Sequence, residues 1–178
     1  MPTSLMVRRL GTAVVAAVVL GTSPTDAAPL QSWDIEIDDA DARFVVLPDF
    51  GGDAVLDRET QLIWQRAPGR GLLRTFSGAF NSCFATVVGN RLGWRVPSMA
   101  ELTSLIDRTR ANPPLPAGHP FDVSALSRDV WSSTTVPGTE PEQAFHQDMR
   151  ADGFLGNAVK DNEQEVWCVR GGRGADGE

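Results

Sequence analysis

Cys83 and Cys168 are the only two cysteines of the chain, and they stand far apart in a sequence that opens with the pattern of an export signal. A short segment ending in Arg8-Arg9 is followed by an uncharged apolar run from Leu10 to Leu20, then by small residues ending at Ala27-Ala28-Pro29. That is the n-, h- and c-region order of a secretory signal peptide. The apolar run is about half of the roughly 20 residues that cross a bilayer, which argues against a permanent membrane helix. Cleavage is expected after Ala27, with Thr25 and Ala27 as the small residues at the cleavage site, so residues 1–27 read as a signal peptide. Two cysteines delivered to an oxidising compartment have one intramolecular connectivity. Closing a loop of this length stabilises a fold by about 4 to 5 kcal/mol in the chain-entropy model. The competing use, a pair of free thiols serving a metal or redox site, calls for neighbours such as a CxxC spacing, and none is present.

The chain beyond the signal suits one domain and is long enough to bury a core. The whole sequence carries a formal charge of -7, and loss of Arg8, Arg9 and Asp26 with the signal leaves it one unit more negative. Nucleic acid is a poor partner for such a surface, because phosphate binding needs a basic stripe. Lys160 is the only lysine. No later segment is apolar enough to be read as a membrane span. The expected location is therefore secreted, periplasmic or at the cell surface.

The opening third is β-rich. Trp33 to Asp38 alternates apolar and acidic residues, the period of a strand with one wet face. Phe44 to Leu47, Ala54 to Leu56 and Leu62 to Gln65 read as further short strands, punctuated by turn residues at 48–53 and 57–60. Phe76, Phe80, Cys83, Phe84 and Val87 recur at helical spacing and predict a helix with Cys83 on its inner face, ended by Gly89. Ser98-Met-Ala-Glu101 predicts a second helix through a capping box, with Met99, Leu102, Leu105 and Ile106 as its buried stripe and Pro113-Pro114 preventing continuation. Residues 112–128 read as a long, irregular but packed loop. Strands are expected at Val130 to Thr134, Gln143 to Met149 and Glu165 to Arg170, with a turn at Asp152-Gly153 before Phe154 and Leu155. The polar residues 174–178 are expected to be disordered.

Four stretches in order, Asp57 to Arg66, Gly93 to Leu102, Val130 to Thr134 and Val166 to Gly171, resemble the Lcl C-terminal domain family, the module that ends a collagen-like bacterial adhesin. The resemblance covers most of the mature chain and assigns residues 28–173 to one such domain. It implies an α+β, C-type-lectin-like fold related to that of formylglycine-generating enzymes. In that fold two short helices flank a small, twisted, mixed or antiparallel sheet with long loops. It also implies that Cys83 on the first helix pairs with Cys168 on the last strand. The adhesin's domain is similar to a carbohydrate-binding module for sulfated glycans, and this acidic chain departs from the basic surface that a polyanion requires.

Trp94, Arg95 and Trp131 lie in the best-matching stretches, and tryptophan with arginine is a common anchor of glycan and protein contacts. Against that stands core packing, with Arg95 bonded to loop carbonyls. Glu140-Pro141-Glu142 followed by Asp161-Asn162 is similar to the calcium-binding carboxylates of sugar-binding C-type lectins, so calcium is the cation these loops nominate for a binding module, and otherwise no cofactor is expected of one. Against that stand solvated acidic loops. His119 and His146 share no ligand spacing, and Ser132-Ser133 lacks the glycine-flanked elbow of a hydrolase.

The function expected from these residues is a non-catalytic binding module that recognises a glycan or protein ligand through loops 111–160. The enzymatic alternative is an oxidase of the formylglycine-generating type, using Cys83 and Cys168 as thiols with a copper ion. A third alternative is a purely structural component of the envelope.

Overall fold

The computed structural model describes residues 36–69, 72–127 and 129–171. The expected signal peptide, the expected tail at 174–178 and the first half of the strand expected from Trp33 lie outside them. Residues 36–39 form no strand; they lead into the short helix α1 (Ala40–Arg43), whose first turn Asp39 caps by accepting from the Asp41 N–H.

Strands β1 (Phe44–Val46), β2 (Ala54–Asp57) and β3 (Leu62–Gln65) form an antiparallel meander, joined on its far side by β7 (Val169–Arg170) in the order β1-β2-β3-β7. The β2–β3 turn is built by Asp57, whose carboxylate accepts from the Glu59 N–H and the Thr60 hydroxyl, both at 3.0 Å. A second antiparallel sheet holds β4 (Val130–Val136), β5 (Gln143–Gln147) and β6 (Leu155–Val159) in that order. The single small sheet expected from the sequence is thus two sheets, and every strand pairing inside them is antiparallel.

The final segment explains why. Residues 165–169 are buried without interruption, so the segment is enclosed on both faces and has no solvent side to alternate toward. Glu165 makes a parallel bridge to Val130 of the second sheet, whereas Val169 and Arg170 pair with β3 of the first. Between them Trp167 Nε1 donates to the Gln65 carbonyl and the Cys168 N–H donates to Gln65 Oε1, each at 2.8 Å. The strand expected at 165–170 is therefore a wedge shared between two sheets, with ladder geometry only at its end.

Helix α2 (Phe76–Phe84) starts where Thr75 accepts from the Gly78 N–H. Cys83 is bonded to Cys168 with a Cα–Cα distance of 5.5 Å, which fixes the helix against the final segment. At so close an approach only small residues fit the contact, and Ala79 and Cys83 are the buried positions. The expected apolar stripe is corrected accordingly. At 100° per residue, Phe84 points well away from Cys83 and is 82% exposed, Phe80 is 41% exposed, and Val87 is 58% exposed. The helix also stops at Phe84, before Gly89. Gly89 instead has φ +56° in the turn that brings Val88 and Arg91 together, where any Cβ would collide with the Phe50 backbone.

Helix α3 (Met99–Thr103) carries the expected capping box: Ser98 Oγ accepts from the Glu101 N–H at 3.2 Å, and the Glu101 carboxylate accepts from the Ser98 N–H at 2.7 Å. Leu102 and Leu105 are fully buried; Met99 and Ile106 are partly so. Leu102, Leu105 and Ile106 enter a core with Trp64, Leu115, Phe121, Met149 and Trp167, into which the 112–126 loop folds its own apolar residues. A second cluster gathers Phe50, Ala79, Trp94, Trp131 and the disulfide. No helix among the described residues is long and apolar enough to cross a membrane.

Candidate functional site

Trp94 and Trp131 are buried, each in the core beside the disulfide. Trp131 Nε1 donates to the Arg74 carbonyl at 2.8 Å and Trp94 Nε1 donates to the Arg91 carbonyl at 3.0 Å, so both rings have a satisfied polar atom and no free face for a ligand. Arg95 forms a two-pronged bond to Glu101, at 2.8 and 2.6 Å, and donates a third bond to the Gly171 carbonyl. Arg95 thus ties α3 to the end of β7, while the two tryptophan rings are packed inside the fold.

The Arg95–Glu101 pair has a pH consequence. Burial pushes the Glu101 carboxyl up, but the Arg95 bonds and the Ser98 N–H outweigh burial and hold it below its usual value of 4.5. A carboxyl whose folded pKa lies below the unfolded one contributes stability that is present above about pH 4.5 and is lost as pH falls through the folded value. Asp129 behaves alike: the His146 hydrogen bond, opposed by burial and aided by Arg150, holds it below 3.8. Urea denaturation between pH 7 and pH 3 is expected to show the midpoint falling below about pH 4.5. E101Q should be less stable at pH 7 and lose less on acidification.

Glu140, Glu142, Asp161 and Asn162 are all exposed. The fold brings Glu142 and Asp161 to the lining of one small hollow with Phe76 and Pro141, and Lys160 lines the same hollow. Its ammonium lies 2.6 Å from Glu142 and 4.9 Å above the Phe76 ring, and it draws the Glu142 carboxyl below its usual range. Calcium at this position would have to displace that ammonium. Among the described residues no group of three or more His, Cys, Asp or Glu side chains is placed to hold a metal ion. The histidines lie in separate settings. His146 Nδ1 is 2.8 Å from Asp129, whereas His119 Nδ1 accepts from the Phe121 N–H, and burial and then the Arg110 charge hold the His119 pKa below the usual imidazole value.

Among the hollows that the described residues form, one lies in the long-loop region. Residues Phe121, Val123, Leu126 and Met149 give it an apolar floor; Asn112, His119, Asp122, Ser124 and Arg150 give it polar walls, around a volume of about 420 Å³. Asp122 shapes one wall by accepting from the Ser124 N–H and hydroxyl, the latter at 2.6 Å. Arg150 is fixed by donating to the Ser127 carbonyl at 2.7 Å and lies 3.3 Å from Asp129. The sequence places this loop region at 111–160, but of these residues it singles out His119 alone. The Asp-x-Ser turn at 122–124 is the one local signal that marks the wall.

Scaffold and groove together define a class: a disulfide-pinned α+β domain in which two small antiparallel sheets hold a long packed loop that opens into a groove. Within that class the chain belongs to the Lcl C-terminal domain family, whose model matches residues 53–170, from just before β2 to the end of β7. No curated protein and no solved structure matches it.

Proposed function

We propose that the chain is a non-catalytic binding module of the cell surface or exported fraction, and that it holds a glycan in the groove between the 112–126 loop and the Met149–Arg150 turn. The groove's composition carries this reading. A sugar offers an apolar C–H face and a ring of hydroxyls, and this groove offers an apolar floor with an amide, a carboxylate, a hydroxyl, an imidazole and a guanidinium around it. Family membership supports a surface setting, since the family takes its description from the terminal domain of an adhesin. The C-type-lectin-like fold implied by the sequence belongs to the same proposal. The disulfide weighs against the oxidase alternative, because both cysteine sulfurs are already joined and neither is a thiolate available to a copper ion.

The acidic surface points to a neutral or cationic glycan. A glycan array probed with the mature protein, with calcium and with chelator, is expected to return neutral or amino sugars in both conditions. D122A should weaken that binding at least tenfold, about 1.4 kcal/mol, while circular dichroism still shows the parent fold. A blank array together with capture of a protein ligand that D122A leaves untouched would move recognition away from this groove.

A further inference from the structure

One wall of the groove is held by a bond that a single proton would break. His119 ends a turn in which its N–H donates to the Pro116 carbonyl at 3.2 Å, with Gly118 at φ +84°. Its Nδ1 accepts from the Phe121 N–H, also at 3.2 Å, and its ring stacks on the Phe121 ring with centroids 6.0 Å apart. A ring nitrogen that accepts carries no proton, so the neutral imidazole keeps its hydrogen on Nε2. Nε2 has no partner among the described residues, and His119 lines the groove. Phe121 forms the floor beneath it. That ring is buried and meets Phe44 at 5.2 Å and Trp167 at 5.1 Å, both edge-on. The chain on either side is tied to Arg66, which donates to the Pro120 carbonyl and whose own carbonyl accepts from the Asp122 N–H. An imidazolium has two N–H donors and no acceptor. It cannot coexist with the Phe121 bond, and a half-buried backbone N–H left without an acceptor costs stability.

We infer that His119 is a proton-operated latch on the groove. Neutral, it holds the wall closed and offers its Nε2–H to a hydroxyl or carbonyl oxygen of the ligand; protonated, it releases the Phe121 N–H and the wall opens. The ligand half of this inference rests on the glycan groove, whereas the latch itself works without a ligand. Its surroundings favour the neutral form. Burial, and after it the Arg110 charge, hold the His119 pKa below the usual 6.5. The other charged groups on this side are Arg66, at the Pro120 carbonyl, and Asp122 and Arg150, which line the groove; from α1 the uncharged Ala40 meets the turn at Gly118. A histidine whose folded pKa is depressed contributes stability that is present above about pH 6.5 and is lost as pH falls through the folded value. A ligand that binds only the neutral form loses affinity about tenfold for each pH unit below that value.

Long-range proton–nitrogen NMR of the mature protein, titrated from about pH 7.5 to about pH 5, tests the latch. That range stays above the loss of the Glu101 and Asp129 pairs. At the start His119 is expected as the Nε2–H tautomer, and on acidification its ring nitrogens and the Phe121 amide should shift with one common midpoint below 6.5. H119N leaves a side-chain oxygen able to accept where Nδ1 does and cannot be protonated, so the Phe121 amide should keep its place and stop titrating. Affinity of the parent for a glycan found on the array should fall about tenfold per pH unit below the midpoint, and that of H119N should not change with pH. An Nδ1–H tautomer, or a Phe121 amide that ignores the His119 midpoint, would overturn the latch, as would a parent affinity that stays flat across the range. A blank array with the shared midpoint intact would support the latch and sink the glycan reading alone.

Discussion

C83S is expected to melt about 10 °C below the parent protein, and reduction of the parent with excess dithiothreitol to move it to the same temperature. The bond closes a loop with a sequence separation of 85. In the chain-entropy model that restricts the unfolded ensemble by about 4 kcal/mol, and a domain of this size shifts by about 2 to 4 °C per kcal/mol. The site of the bond adds a second consequence. Cys83 and Cys168 are buried together with Ala79, Trp94 and Trp131, and α2 is held there by Ala79, by the bond itself and by the half-buried Phe76 ring, which meets Trp131 edge-on at 5.8 Å. Without the bond, α2 should be the first element to loosen, giving faster amide exchange at 79–84 than in the core strands. Differential scanning calorimetry and hydrogen exchange check the two parts. A C83S protein that melts within 2 °C of the parent would show that packing alone positions the helix.

R43A is expected to cost about 3 to 5 kcal/mol, seen as a lower urea midpoint, or to prevent folding at 37 °C. Asp57 is fully buried, and Arg43 meets it with two bonds, from Nε at 3.0 Å and from Nη2 at 2.9 Å. The same guanidinium donates to the Ser104 carbonyl at 2.8 Å and lies 3.0 Å from Glu59, whose carboxyl is raised by burial despite that neighbour. One side chain thus ties α1, the β2–β3 turn and the end of α3. Removing it leaves a carboxylate in the interior with only the Glu59 N–H and the Thr60 hydroxyl as donors, and an uncompensated buried charge is costlier than the loss of the pair as a whole. R43L/D57L should therefore be more stable than the sum of the single changes predicts, by more than 1 kcal/mol. Additive single and double changes would mean that the pair carries no coupling.

Local devices were legible in the residues themselves. The capping box at Ser98 and Glu101, the strands at 44–46, 54–57 and 62–65, and the packed character of the 112–126 loop all rest on short-range rules that tertiary contacts here did not override. Assigning function to individual side chains was harder. Trp94, Arg95 and Trp131 look alike whether they anchor a ligand or brace a core, because type and spacing do not encode which side of a surface a ring falls on. Glu142 gave no hint of Lys160, which reaches it from another strand end across 18 residues.

The sequence determined by itself that the chain opens with the pattern of an export signal, that its two cysteines had one partner each, and that its composition is acidic. Those properties are additive over residues or fixed by counting. Tertiary structure decided that Phe80 and Phe84 of α2 face outward, that the final segment is shared between two sheets, and that the long loop opens into a groove. Each of these depends on which surfaces meet. A helix periodicity specifies an apolar side but not its partner, and here a covalent bond placed Ala79 and Cys83 against the core, with Phe76 packed beside them, and left Phe80 and Phe84 to solvent.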